Sequence, residues 1–150
     1  MAKTTARRGT RGRKGRELIA RSGTVTGWEA GLYLHAEGGR EKRQRNAMLA
    51  LDVYGNLQEP VRNVNAFKIT LLSEADPTPG QAEIPSVGSI IAVKPTLDLV
   101  VTLADRELNL LAAMAAAGRL KHVDICFQEP RYGSALVASC SFHTKVPDDE

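Results

Sequence analysis

From Thr24 onward the chain alternates apolar and polar residues with a period of two. Trp28, Ala30, Leu32, Leu34 and Ala36 fall on one side, and Glu29, Gly31, Tyr33 and His35 on the other. One apolar face against one mixed face is the pattern of a half-buried strand. Trp28 lies on the apolar side and is expected in the core, whereas Tyr33 and Tyr54 fall on mixed faces. Ala47, Leu49, Leu51 and Val53 continue the alternation in a second strand, and Gly55-Asn56 reads as a turn dipeptide leading into a loop through Gln58-Glu59-Pro60. A third strand begins at Val64, with Phe67, Ile69 and Leu71 on one side. Residues 74–88 carry Pro77, Pro79 and Pro85 and read as a long surface loop, because proline removes ladder donors. Ile90, Ile91 and Val93 form a short strand stopped by Pro95, and residues 97–102 form another.

The period then changes to 3.6. Leu108, Leu111, Ala112 and Ala115 share a stripe, Thr102 and Asp105 have the spacing of a capping box, and Gly118 stands where a C′ glycine ends a helix. Alternation returns at Val123, Ile125 and Phe127 and again at Leu136, Ala138, Cys140 and Phe142. With Arg131-Tyr132 as a two-residue loop, Phe127 pairs with Leu136, Ile125 with Ala138 and Val123 with Cys140, which gives a single apolar face. Cys126 and Cys140 then point to opposite faces. The chain is expected to be an α+β domain: a mainly antiparallel β-sheet or sandwich of about seven strands with one packing helix over about 103–117. Helices do not alternate with strands, which argues against a doubly wound α/β fold.

Charge divides this picture in two. The formal net charge is +3, but residues 1–21 hold eight basic groups against Glu17 alone, so the remaining 129 residues carry −4. Residues 1–16 contain no large apolar side chain after Met1, and their glycines interrupt any helix, so they read as a flexible basic arm. The domain spans 17–146 and an acidic tail spans 147–150. Arginine and lysine in such an arm suit phosphate oxygens through counterion release. The candidate nucleic-acid contacts are Arg7, Arg8, Arg11, Arg13, Lys14 and Arg16, together with a second basic run, Arg40, Lys42, Arg43 and Arg45. Against this stand a tail that only confers solubility, an arm that engages an acidic protein partner, and a targeting peptide, the last disfavoured by the arm's glycine content.

With 43% apolar and 25% charged residues in 150, the composition is that of one soluble domain with a core of its own. No apolar run is long enough for a membrane helix and no secretory signal is visible, so a cytoplasmic location is expected. Two cysteines do not make a disulfide framework. Candidate chemistry is sparse. On the hairpin's polar face, His122, Asp124 and His143 could present two imidazoles and a carboxylate to a divalent ion, and Cys126, Ser139 and Ser141 share that face. The plainer reading is the wet side of a half-buried sheet. Phosphate-loop and nucleophile-elbow motifs are absent, and neither a cofactor nor a metal is expected. The expected function is therefore non-enzymatic: an accessory binding protein whose arm engages DNA or RNA without sequence specificity. The alternative is a protein-interaction module, an inhibitor or assembly component, that uses the acidic body and loops 38–46 and 74–88. Its partner would then be a protein, with a homo-oligomer or larger assembly among the expectations; no membrane partner is expected.

Overall fold

A computed structural model describes residues 16–38, 43–73 and 86–147. Seven strands and one helix follow one another as β1 (Leu18–Gly38), β2 (Arg43–Val61), β3 (Val64–Ser73), β4 (Gly88–Ala92), β5 (Leu97–Leu103), α1 (Asp105–Ala116), β6 (His122–Gln128) and β7 (Ala135–His143). The strands close into a barrel in the order β1-β2-β3-β5-β4-β7-β6. The expectation of a mainly antiparallel β fold with one helix is met, but the open sheet or sandwich is corrected to a closed barrel. Closure comes from β1, which pairs with β6 from Leu18↔Gln128 to Thr24↔His122, so the first strand and the sixth share a ladder and no barrel strand is left as an edge. A second departure is the parallel pair β3–β5. The chain crosses from β3 to β4 and folds back antiparallel into β5, which slots between them. The stretch 74–87 is long enough for that crossover.

Residues 1–15, 39–42, 74–85 and 148–150 lie outside the described set. The flexible arm, the acidic tail and most of the proline-rich loop fall there.

β2 runs unbroken through Gly55-Asn56, where the dipeptide suggested a turn. Gly55 pairs with Phe67 across the ladder, and a Cβ at Gly55 would meet the Thr24 carbonyl and stand 2.6 Å from the Phe67 ring. Glycine is needed here for close packing, and the ring covers it as a side chain of its own would. The turn lies instead at Arg62-Asn63, with φ of 49° and 67°. Two successive positive φ values define the type I′ hairpin turn, which Asn tolerates best after Gly. Likewise β6 and β7 join through Tyr132-Gly133, φ 56° and 78°, closed by an Arg131↔Ser134 bridge, and not through Arg131-Tyr132. The register moves accordingly: Val123 pairs with Phe142 and Ile125 with Cys140, and Ala138 bulges out where Cys126↔Ser139 gives way to Phe127↔Val137. The inward residues of β7 are therefore Ala135, Val137, Cys140 and Phe142, with parity switching at the bulge.

The barrel is filled by Leu51, Val53, Phe67, Ile69, Leu71, Ile90, Leu99, Val101, Ile125, Phe127 and Val137, all buried. Helix α1 lies against β2 and β3. Leu108 is its fully buried side chain, while Leu111 and Met114 pack at the margin. Thr102 belongs to β5, so the expected Thr102–Asp105 cap is replaced: Ala104 is the N-cap, and its N–H donates to Glu107 Oε1 at 3.0 Å. The C-terminus matches expectation. Gly118, at φ 72°, donates to the Ala115 carbonyl at 2.9 Å and Arg119 to that of Met114 at 2.8 Å. This is a Schellman motif with glycine at C′.

Candidate functional site

Two sets of residues carry the chemistry read from the sequence: basic segments that adjoin β1 in the chain, and a polar cluster beside it. The basic residues come first. Arg7, Arg8, Arg11, Arg13, Lys14, Arg40 and Lys42 fall outside the described residues. Arg16 is described, and its guanidinium donates to the Ser134 carbonyl at 3.1 Å while the Glu129 N–H donates to the Glu17 carbonyl at 2.8 Å. These bonds fasten the root of the arm beside the β6–β7 turn, where Tyr132 is fully exposed. Arg21 is already part of the body, donating to the Pro60 and Ala20 carbonyls. Arg43 and Arg45 stand on β2 at the positions paired with Gly38 and Ala36. The two basic segments thus join opposite ends of β1, which are separated by about 60–70 Å of extended strand.

The second set is a polar cluster on the barrel's outer side. Adjacent strands set it out in two rows. Asp124 on β6 has Ser22 of β1 on one side and Ser141 of β7 on the other, and His122 likewise stands between Thr24 and His143. His122 faces His143 directly, where the expected register placed it opposite Ser141. The Asp124 carboxylate is the hub. Ser22 donates to its Oδ1 at 2.5 Å, His122 Nε2 lies 3.0 Å from the same oxygen, and His143 Nε2 lies 3.2 Å from Oδ2. The rings of the two histidines are 5.8 Å apart. Burial raises the Asp124 carboxyl, but the hydrogen bonds from Ser22 and His122 and the charges of His122 and His143 outweigh it, leaving the group below its ordinary value.

His122 is the surprise. It was expected on the wet face, and it does alternate outward, yet only 1% of its surface is exposed. Its Nε2–H is assigned as donor to Asp124, and Nδ1 is buried without a partner. Ser22 escaped the sequence reading because its partner is 102 positions away on a strand whose neighbour could not be inferred. Cys140 lies on the inner face, its thiol pushed up to about 12 by burial and by the charge of Asp124. Cys126 is on the outer face, and both cysteines are free.

Ser141 Oγ is 2.9 Å from His143 Nε2, the nitrogen that also meets Asp124. A nucleophilic relay needs the hydroxyl on one ring nitrogen and the carboxylate on the other, and this arrangement places both on Nε2. The adjacent carboxylate favours a proton on that nitrogen, so Ser141 is the acceptor and is not activated. Among the described residues no group of three or more His, Cys, Asp or Glu has the geometry to hold a metal ion. Beside the cluster, a cleft of about 580 Å³ is lined by Asp124, His143, Thr144, Lys145, Val146 and Pro147. Among the described residues no helix is long and apolar enough to cross a membrane.

Compared with protein-family models, curated proteins and solved structures, the chain has no significant match in any of the three.

Proposed function

We propose that the protein is a non-enzymatic nucleic-acid-binding protein whose arm, residues 1–16, engages phosphates without reading sequence. The observation that carries this reading is the charge division: seven basic and no acidic groups in residues 1–16, on a body of net negative charge. A short cationic segment on an acidic domain attracts polyanions through the segment alone. Anchoring of Arg16 beside the exposed Tyr132 adds an aromatic ring at the arm's root, which suits stacking on an unpaired base. Because Ser141 and Asp124 share one nitrogen of His143, the polar cluster reads as a structural network tying β1, β6 and β7 together.

The test is a titration of duplex and single-stranded DNA at several salt concentrations. If four to six basic groups meet phosphates, log K against log salt falls with a slope of about −4 to −5 on duplex DNA. Removal of residues 1–16 flattens the slope and leaves the melting temperature nearly unchanged, because the arm has no large apolar side chain besides Met1. A slope near zero for the whole chain overturns the reading.

A further inference from the structure

We infer that the β2–β3 and β6–β7 turns together form a binding site for single-stranded nucleic acid, where an unpaired base stacks on Tyr132 and the flanking phosphates meet Arg16, Arg62 and Arg131. This rests on the nucleic-acid reading above and names the form of nucleic acid that the body of the protein takes.

The two turns are of one type and share one anomaly. Each needs a positive φ at both central residues, which Gly, Asn and Asp tolerate and bulky residues resist. The second central residues are conventional, Asn63 at φ 67° and Gly133 at φ 78°. The first are Arg62 at φ 49° and Tyr132 at φ 56°. A long cation and a large aromatic thus occupy the two positions where asparagine or glycine would serve the backbone better. For Arg62 the fold offers compensation: its guanidinium donates to the Pro130 carbonyl and ties one turn to the other. For Tyr132 it offers none, because the side chain is fully exposed and lies outside the packed core. Backbone strain that packing does not offset points to a role outside the fold.

Cations bracket that ring. Arg62 is held at Pro130, two residues before Tyr132, and Arg16 at Ser134, two residues after it, at 3.1 Å. Arg131 is adjacent in the turn and exposed. A guanidinium has five N–H donors, and the bonds to the Pro130 and Ser134 carbonyls use one on each arginine. The other donors remain for phosphate oxygens, on side chains already fixed in place, so less freedom is lost on binding. The carboxylates beside the turns are Glu17 and Glu129, joined through their backbones, and Glu59, 4.0 Å from Arg21. Arg16, Arg21, Arg62 and Arg131 outnumber these three, and six more basic groups lie in residues 1–15, which lead directly into Arg16.

Ring and charge together select an unpaired strand. In a duplex the faces of an interior base are covered by its neighbours, so a ring carried on a turn has nothing to stack on. A single strand offers a π-face and adjacent phosphates at once.

Fluorescence anisotropy of a labelled oligothymidylate and of a duplex of equal length, titrated with the full-length chain at several salt concentrations, tests this. Tyr132→Asn is the deciding variant, because asparagine accepts the turn and the barrel keeps its fold. It should weaken single-strand binding about 5- to 100-fold, leave the duplex affinity and both salt slopes unchanged, and leave the melting temperature unchanged or higher. Tyr132→Trp should retain the single-strand affinity, and Arg131→Gln should lower the single-strand slope by about 0.7. If Tyr132→Asn binds the single strand as well as the wild type does, or loses duplex affinity equally, the site is refuted, while the salt slope of the intact chain still upholds the arm. A lower melting temperature in Tyr132→Asn would make the tyrosine structural and refute the site as well. A slope near zero for the wild type removes both readings.

Discussion

The two halves of the β1–β2 hairpin are built alike and end differently. In the lower half, Val25, Val53, Gly55 and Leu57 turn inward and are covered by Phe67 and the rest of the barrel. In the upper half, Leu32, Leu34, Ala47 and Leu49 continue the same alternation along the same strands, and Leu32 and Leu34 are open to solvent. Strand pattern states which side wants burial; whether burial happens depends on a third strand. β3 supplies it up to Ala50 and no further.

The largest effect expected along this contrast is on stability. Leu51→Ala removes a fully buried side chain and should cost about 2–5 kcal/mol. Leu32→Ala, two rungs away, should change the unfolding free energy of the dilute protein by less than about 0.5 kcal/mol. Chemical denaturation of both variants at low concentration measures the difference, and equal losses would mean the ribbon is packed in solution. A finer version uses two glycines. A methyl at Gly55 meets the Phe67 ring and the Thr24 backbone, so Gly55→Ala should destabilise by about 1–3 kcal/mol. A methyl at Gly27 meets nothing within 4 Å, so Gly27→Ala should be neutral or stabilise by about 0.4–1 kcal/mol through the unfolded chain.

The smallest effect concerns the polar rows outside the barrel. Asp124 is depressed in the folded state, so its ionised form contributes stability above the ordinary carboxyl value, 3.8. That contribution fades as the pH falls through this value and is gone below the folded one. Asp124→Asn should lower the melting temperature near neutrality and flatten its fall in that acidic window. A parallel fall in both proteins would show that the network adds nothing.

Local chemistry was legible in the sequence wherever a residue's role depends on near neighbours. The strand alternations, the helix stripe with Leu108 and Ala115, and the C′ glycine at position 118 all belong to that class. So does the polar row of β6, because period two alone places His122, Asp124 and Cys126 together. Roles decided by distant neighbours were hidden. Gly55 reads as a turn residue until Phe67 is seen above it. β5 cannot be read as parallel to β3, because insertion between two earlier strands leaves no trace in periodicity. Trp28 was assigned to the core by its face, but it stands where the covering strand has ended. His122 was assigned to water by its face, yet it is buried, with Thr24 of β1 and His143 of β7 as its cross-strand neighbours. The basic arm was legible as charge alone.

Closure of the barrel through β1 and β6 also sets an order of events during synthesis. Thr24 finds its second neighbour only at His122, and Leu18 only at Gln128. At about 5–20 residues per second, a ribosome needs roughly 5–20 s to deliver that stretch. Through that interval β1 can hold only its hairpin with β2, while the opposite edge of the strand stays open. Bringing segments so far apart in sequence together is entropically costly and slow compared with forming the hairpins on either side. The strand that emerges first is thus among the last to be completed, and the nascent chain presents an unpaired edge until β6 has been translated.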